Sequence, residues 1–164
     1  MKRYIRSAVK SLSEESTQFK EEFVIDGDLS RFSIRDLMPL TEDKSTVVRQ
    51  WLAENDTTPA EILAKLADDT DRGVRYSTAR NANTPADILA RFADDPDETT
   101  RQLVAKNSGC TTNIVDKLAT DDNWMVRYNS TMNPNISTDC LRKLISDPNR
   151  VVAASAKWYL GYRS

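Results

Sequence analysis

The sequence predicts an all-α solenoid of about four 26-residue repeats, each made of two helices, in a single domain that spans residues 1–164. Two columns of identical residues recur at this period. They are Arg49, Arg75, Arg101 and Arg127, and Asn55, Asn81, Asn107 and Asn133. Apolar columns repeat in the same register. Self-similarity at a fixed period of this length is typical of a solenoid, in which each unit buries its apolar face only against its neighbours.

The repeats are framed by a cap at each end. Residues 1–44 are predicted to form an N-terminal cap from a degenerate repeat, whose second helix is shortened by Pro39. Four copies follow, at 45–70, 71–96, 97–122 and 123–148. Residues 149–164 form a C-terminal capping half-repeat, where Trp158, Tyr159 and Tyr162 are expected to seal the last core face. Periodicity does not decide whether residues 3–12 are helical or extended.

The first segment of each repeat is predicted to be a helix. Val48, Leu52 and Ala53 recur at i, i+4 and i+5, which is one stripe of a helix. Candidate N-caps precede the five copies of this segment, namely Ser45, Asp71, Asp97, Asn123 and Asn149. The asparagine column is interpreted as left-handed helix stops, because asparagine tolerates that backbone conformation. The alternative is a ladder of amide groups that binds a partner peptide.

The second segment is also predicted to be helical. Its apolar residues recur at i, i+1, i+4 and i+5, as in Ile62, Leu63, Leu66 and Ala67. Thr58 is the expected N-cap, followed by Pro59 at the first helical position and by Glu61 three residues after the cap. Thr111 and Ser137 replace the proline in the third and fourth copies, so those starts are expected to be less rigid.

The arginine column is matched by a column of aspartates six residues earlier. The pairs are Asp43 and Arg49, Asp69 and Arg75, Asp95 and Arg101, and Asp121 and Arg127. Charge-assisted bonds between them would brace successive repeats. Asp147 faces Ala153 in the terminal half-repeat and is expected to lack a partner. The arginine is thus absent where no further repeat has to be braced, which favours bracing over ligand binding.

The repeated pattern VR…A.N..TP..IL..LADD.D resembles the leucine-rich repeat variant, a family related to HEAT and armadillo solenoids. The resemblance covers about residues 45–160 and is most specific in the first two copies. It implies a right-handed α-α superhelix, with a short 3₁₀-like helix as one option in each repeat. Cys110 and Ile136 depart from the pattern at the cap threonine, and the period is slightly long for the family. Some members carry an N-terminal cysteine cluster for iron and sulphur, but the first cysteine here is Cys110, so no cofactor is expected.

Composition narrows the possible functions. The chain has no histidine, which removes Ser-His-Asp and Cys-His catalysis and histidine-containing zinc sites, and we expect a non-enzyme without a metal. A net charge of −2 argues against broad phosphate binding. No apolar run approaches a membrane span, and the first residues lack the apolar region of a secretory signal. Two cysteines in different repeats make a poor disulfide candidate, so the expected location is a reducing cytoplasm.

Two sets of side chains are candidate binding residues. A basic row follows the second helices at Lys65, Arg91, Lys117 and Lys143. Acids four residues earlier in three of the four copies are expected to neutralise much of this row. Aromatic residues in otherwise polar columns form the second set, comprising Trp124, Tyr76, Tyr128 and Trp51. Tryptophan and tyrosine dominate interface hot spots, whereas filling a gap beside a small core residue is the structural alternative.

Two classes of function fit these residues. The first is a non-catalytic scaffold that binds a protein or peptide on the solenoid surface. The second is a nucleic-acid-binding repeat protein that uses the basic row. The second class requires that the acids point away from the row and leave a positive stripe.

Overall fold

The structure is a computed structural model that describes residues 28–162. Contacts divide the chain into two compact units, the first ending at Asn83 and the second starting at Thr84, and each is described by itself. The part of the chain described contains ten α-helices, two 3₁₀ helices and no strand. This confirms the all-α prediction. Residues 1–27 of the predicted cap, with the undecided segment 3–12, lie outside the described residues.

The first unit begins with the remainder of the cap. A 3₁₀ helix, Leu29–Arg31, precedes α1, Ile34–Leu37, and a second 3₁₀ helix, Met38–Glu42. The repeats supply α2 (Thr46–Glu54), α3 (Ala60–Leu66) and α4 (Arg72–Arg80). Pro39 stands in the first turn of the second 3₁₀ helix, directly after the end of α1. The predicted shortening of this helix is therefore confirmed. The core of the unit joins Leu29 and Leu37 of the cap to Leu52 and Ile62 of the first repeat.

The second unit alternates long and short helices. It contains α5 (Ala86–Phe92), α6 (Glu98–Lys106), α7 (Thr112–Leu118), α8 (Trp124–Met132), α9 (Thr138–Leu144) and α10 (Arg150–Tyr162). The first helices of successive repeats pack in sequence, α6 against α8 and α8 against α10, and α9 packs on α10. Both helices of every described repeat are α-helical. The 3₁₀ option implied by the family resemblance therefore does not apply to them.

The N-caps of the first helices agree with the prediction, except that the Ser45 side chain makes no cap hydrogen bond. The Asp71 carboxylate accepts a hydrogen bond from Val74 N at 3.2 Å, and Asn123 Oδ1 accepts one from Met125 N at 2.8 Å. Asp97 does the same for Thr99. These bonds satisfy backbone N–H groups that have no acceptor within the helix.

The predicted N-caps of the second helices are wrong. Pro59 and Pro85 are themselves the cap residues, with extended ψ angles of 148° and 143°. The Thr58 hydroxyl instead donates to the carbonyl oxygen of Leu52 at 2.5 Å and is buried. That carbonyl lies in the last turn of α2, where it has no helical partner, so the threonine closes the turn rather than starting the next helix.

Cysteine 110 occupies the same column as Thr58 and makes the same kind of contact. Its sulphur lies 3.2 Å from the Val104 carbonyl oxygen, as a weak donor. The residue that follows it, Thr111, is the cap of α7 but makes no side-chain cap bond. Ser137, at the equivalent place before α9, accepts from Cys140 N at 3.0 Å. A small side chain with a donor therefore suffices to close this turn.

The asparagine column does end the first helices, but not in a left-handed conformation. Asn55, Asn81, Asn107 and Asn133 have φ between −77° and −68° and extended ψ angles. Asparagine at this position nevertheless marks the helix end. In α10 the same position holds Tyr159, and that helix continues to Tyr162. The left-handed interpretation is therefore wrong, and the reason lies in the contacts of the side-chain amide.

Asn81 and Asn133 each staple their repeat to the preceding one. Asn133 Nδ2 donates to the carbonyl oxygens of Ala105 at 2.8 Å and Asn107 at 3.0 Å, and its Oδ1 accepts from Asn135 N at 2.9 Å. Asn81 makes the equivalent bonds in the first unit. The two amides are 2% and 6% exposed, so they are not available to a partner peptide.

The arginine column joins successive repeats through backbone carbonyls, and its carboxylate partners are other aspartates than predicted, each in the arginine's own repeat. Arg127 forms a bidentate pair with Asp147, with Nε 2.7 Å from Oδ2 and Nη2 3.0 Å from Oδ1. Its Nη1 donates to the backbone oxygens of Asp121 and Asp122. The aspartate six residues earlier thus contributes its carbonyl, while the carboxylate comes from twenty residues later. Arg49 with Asp69 and Arg101 with Asp121 repeat the arrangement. The expectation that Asp147 lacks a partner is wrong.

Candidate partner-binding surface

Trp124 is exposed on the outer side of α8. It is the first residue of this helix, and its side chain is 40% exposed. Asn123, the cap residue, bonds Glu98 through Nδ2 at 2.6 Å and thereby ties the start of α8 to the preceding repeat. Tyr128 lies one turn later on the same side of the helix and is half-buried. The first candidate anchor is therefore held on a rigid helix start.

Helix α10 carries a second group of exposed apolar side chains. Val151, Trp158 and Tyr162 are 51%, 61% and 79% exposed and lie at i, i+7 and i+11, along one stripe. The rings of Trp158 and Tyr162 stack with centroids 5.6 Å apart and an interplanar angle of 7°. Tyr159 meets Trp158 edge-on at 4.6 Å.

The prediction that the C-terminal aromatic residues seal the last core face is wrong for Trp158 and Tyr162. Val152 and Ala156 already occupy the core side of α10, and both are fully buried. Residues 158 and 162 lie about 100° or more around the helix from that core direction. Their rings therefore face outward.

The first unit shows how the outer sides of two successive first helices adjoin. A Cβ on Gly73 of α4 would lie 3.6 Å from Gln50 Oε1 of α2. One turn further, Ser77 Oγ donates to Glu54 Oε1 at 3.0 Å. These two pairs define the register between neighbouring first helices.

Applied to α8 and α10 by the 26-residue repeat, the same register is expected to bring Val151 beside Tyr128 and Ser155 beside Met132. Ser155 Oγ contacts Thr131 Oγ1 directly, and the two helices pack against each other. The outer side of α8 thus adjoins that of the first part of α10, and Trp158 and Tyr162 continue the stripe of Val151 beyond the last residue of α8. We call this combined face the aromatic surface, and it consists of Trp124, Tyr128, Val151, Trp158 and Tyr162.

Two cations border the aromatic surface. Arg150 and Lys157 are exposed and lie on the flank of α10 that faces away from α8, and α10 contains no acidic residue. The nearest upstream carboxylate, Asp147, is engaged by Arg127, whose guanidinium holds the pKa of that carboxyl below its usual range. Within residues 28–162 no ion pair involves Arg150 or Lys157, so this flank of α10 is positively charged.

The architecture has a counterpart among solved structures. A solved chain described as a leucine-rich repeat variant with a novel repetitive structural motif superposes with a TM-score of 0.64, at 21% sequence identity. The fold is that of a leucine-rich repeat variant. The match covers 97% of this chain but 61% of the solved chain, so the sequence spans less than two thirds of its length. No protein-family model matches the sequence, and no curated protein does.

The other two aromatic candidates lie in the first unit of this leucine-rich repeat variant fold. Trp51 is half-buried and packs against the core cluster that contains Leu29 and Leu52. Tyr76 is half-buried beneath Arg72, whose guanidinium carbon lies 5.0 Å from the ring centroid. Both rings are thus engaged by their own unit, and neither joins the aromatic surface.

Two of the four cations in the basic row form ion pairs, although not with the predicted acids. Lys65 Nζ lies 3.2 Å from Glu42, and Lys117 pairs with Asp94, in each case 23 residues earlier and not four. The repeat stacking brings the preceding copy closer to the ammonium group than the neighbouring helical turn. Lys143 is exposed, and its predicted partner Asp139 is bound by Arg142 at 2.7 Å.

Arg91 completes the basic row. Its guanidinium carbon lies 5.9 Å from the centroid of the adjacent Phe92 ring. Each unit also has a shallow groove of about 420–430 Å³ beside its ion pairs, and these grooves are lined mainly by charged side chains already paired within the fold. The described residues therefore do not form a continuous positive stripe.

Reactive groups are scarce in the described part of the chain. Cys110 and Cys140 are free and buried, and burial raises the pKa of each thiol to about 11. Such thiols are poor nucleophiles at neutral pH. No described cluster of three or more histidine, cysteine or acidic side chains is arranged to hold a metal. None of the described helices has the length and apolar character needed to cross a bilayer. What the surface offers chemically is apolar and electrostatic contact.

Sequence reasoning missed the contribution of α10 to this surface. The signal in the sequence was Tyr159, which stands where the asparagine column would place an asparagine. Without that asparagine, α10 continues to Tyr162 and carries Trp158 and Tyr162 one turn apart. In a terminal helix, the sequence does not distinguish an aromatic residue on the core face from one on the outer face. The choice between them depends on which side packs on α8 and α9.

Proposed function

We propose that this chain is a non-catalytic interaction scaffold that binds a protein or peptide partner through the aromatic surface. The observation that carries the proposal is the exposure of Trp124 and Trp158, at 40% and 61%, on two adjoining helices. Tryptophan and tyrosine supply large contact area with little conformational entropy to lose, so they are preferred anchors of interfaces. Repeat folds commonly supply extended surfaces of this kind for binding.

Nucleic-acid binding through the basic row has weaker support. Two of its four cations, Lys65 and Lys117, form ion pairs with the preceding repeat. The net charge of −2 also disfavours a polyanion. The first class of function is therefore preferred.

The test uses alanine variants of the two exposed tryptophans. We expect Trp124→Ala and Trp158→Ala to weaken partner binding by about 2 kcal/mol each, roughly 30-fold, since each removes an interface anchor. Their melting temperatures should change little, because neither residue belongs to the buried core. Val47→Ala is the control, because Val47 is a 49% exposed apolar residue of the first unit. Partners are captured from a lysate with and without nuclease, identified by mass spectrometry, and their affinities are then measured with purified components.

Two outcomes would contradict the proposal. A large loss of stability in Trp124→Ala with unchanged partner affinity would make this residue part of the core. Loss of the captured material on nuclease treatment would favour nucleic acid as the ligand.

A further inference from the structure

The charge distribution around the aromatic surface restricts what can bind there, if the proposed function holds. Arg150 and Lys157 are seven residues apart on α10, which separates them by about 10.5 Å along the helix axis. Both lie on one flank of the stripe formed by Val151, Trp158 and Tyr162. An apolar ridge with cations along one side is complementary to an apolar stripe with carboxylates along one side.

The shape of the surface favours a helical partner. The stripe on α10 spans twelve residues, a rise of about 16 Å, and α8 adjoins its first part on the side opposite the cations. Two neighbouring helices present ridges and a shallow groove into which a third helix can pack. The described residues contain no strand, so they provide no sheet edge to which an extended peptide could add.

We propose that the aromatic surface docks an acidic amphipathic helix of a partner protein. Its apolar residues, spaced at i, i+3 or i+4, and i+7, cover Val151, Trp158 and Tyr162. Carboxylates two turns apart on one flank of that helix face Arg150 and Lys157. The proposal rests on the proposed function and names the partner's chemistry.

Two other occupants fit the surface less well. A second copy of α10 would bring the same two cations, and their mutual repulsion opposes a symmetric pair. A single-stranded nucleic acid could stack on the exposed rings, but it needs a groove of cations that follows its backbone. α10 supplies only Arg150 and Lys157. Charge complementarity therefore selects the acidic helix.

A displayed library of random 16-residue peptides tests the proposal directly. The library is selected on the full chain and counter-selected on Trp158→Ala,Tyr162→Ala. We expect the enriched sequences to be acidic, with apolar residues at helical spacing. A synthetic consensus peptide should become helical on binding by circular dichroism. Its affinity should fall at least tenfold in Arg150→Glu,Lys157→Glu, measured by fluorescence anisotropy.

The matched control is Lys44→Glu,Arg80→Glu. It makes the same change of net charge at exposed positions of the first unit and should leave the affinity within twofold of that of the unmodified chain. Sedimentation of the unmodified chain and titration with a 12-nucleotide oligouridine test the other two occupants.

The proposal is overturned if the enriched peptides are basic or neutral, if none is enriched, or if charge reversal on α10 leaves the affinity unchanged. A dimer that is lost in Trp158→Ala, or tight binding of the oligouridine, would also overturn it. A captured protein partner that needs Trp124 and Trp158 but presents no acidic helix would refute this inference and leave the proposed function standing.

Discussion

Replacing Asn133 by alanine tests the role of the asparagine column. The side chain is 2% exposed and makes three hydrogen bonds to backbone groups, two of them to carbonyl oxygens of the preceding repeat. A buried hydrogen bond contributes about 1 kcal/mol, and an unsatisfied buried group costs about 1–3 kcal/mol. We therefore expect a loss of about 3 kcal/mol in the free energy of unfolding.

Urea unfolding followed by circular dichroism at 222 nm measures this loss. With a denaturant slope of about 2–3 kcal/mol per molar, the midpoint should fall by about 1 M. Asn113→Ala is the matched control, because the same chemical change falls on the exposed face of α7, where the effect should stay within about 0.5 kcal/mol.

A second variant tests the donor function of the amide. Asn133→Asp keeps the shape but replaces the donating NH₂ by a carboxylate oxygen opposite the carbonyls of Ala105 and Asn107. It should destabilise the protein at pH 7 at least as much as alanine does. If Asn133→Ala matched Asn113→Ala, or if Asn133→Asp were as stable as the unmodified chain, the staple would be refuted.

Three further predictions concern the braces and the thiol. Arg101→Lys should destabilise the protein by about 1–2 kcal/mol in urea unfolding, because one ammonium cannot replace the bidentate contact with Asp121. An unchanged midpoint would contradict this. The lowered pKa of Asp147, caused first by the hydrogen bond from Arg127, stabilises the fold above the unfolded-state pKa, near 4. This contribution to the free energy of unfolding should be lost as the pH falls through the folded-state pKa of Asp147. Asp147→Asn should therefore lose less stability than the unmodified chain between pH 6 and pH 2. Equal losses in the two proteins would contradict this. Cys110, with a pKa of about 11, should resist a thiol reagent at pH 8 until urea unfolds the chain, and rapid native labelling would refute its burial.

The outcomes at individual residues show what could be predicted of the fold. The apolar columns and the caps of the first helices identified the helix pairs, since periodicity and local hydrogen bonding are properties of short segments. The sequence likewise indicated that the arginines brace the repeats. It did not indicate that the carboxylate of Asp147 reaches Arg127 from twenty residues away, because residue spacing along the chain does not give the distance between the first helix of a repeat and the turn that follows its second helix.

The candidate surface was predicted in part. Trp124 and Tyr128 stood out because they interrupt polar columns, and Trp124 is indeed exposed. Trp51 carried the same signal, yet it packs on the core of the first unit. Whether an aromatic residue in a polar column is covered depends on the volume that its neighbours leave, which a single column does not reveal.

The sequence by itself determined the period, the two helices of each repeat and the column in which the first helices end, because these follow from local periodicity and helix-end chemistry. Only the tertiary structure decided how the columns are used. Stacking places the amide of Asn133 against carbonyls 26 and 28 residues earlier and turns Trp158 and Tyr162 of α10 outward. Such contacts depend on the register between repeats, which no single repeat contains.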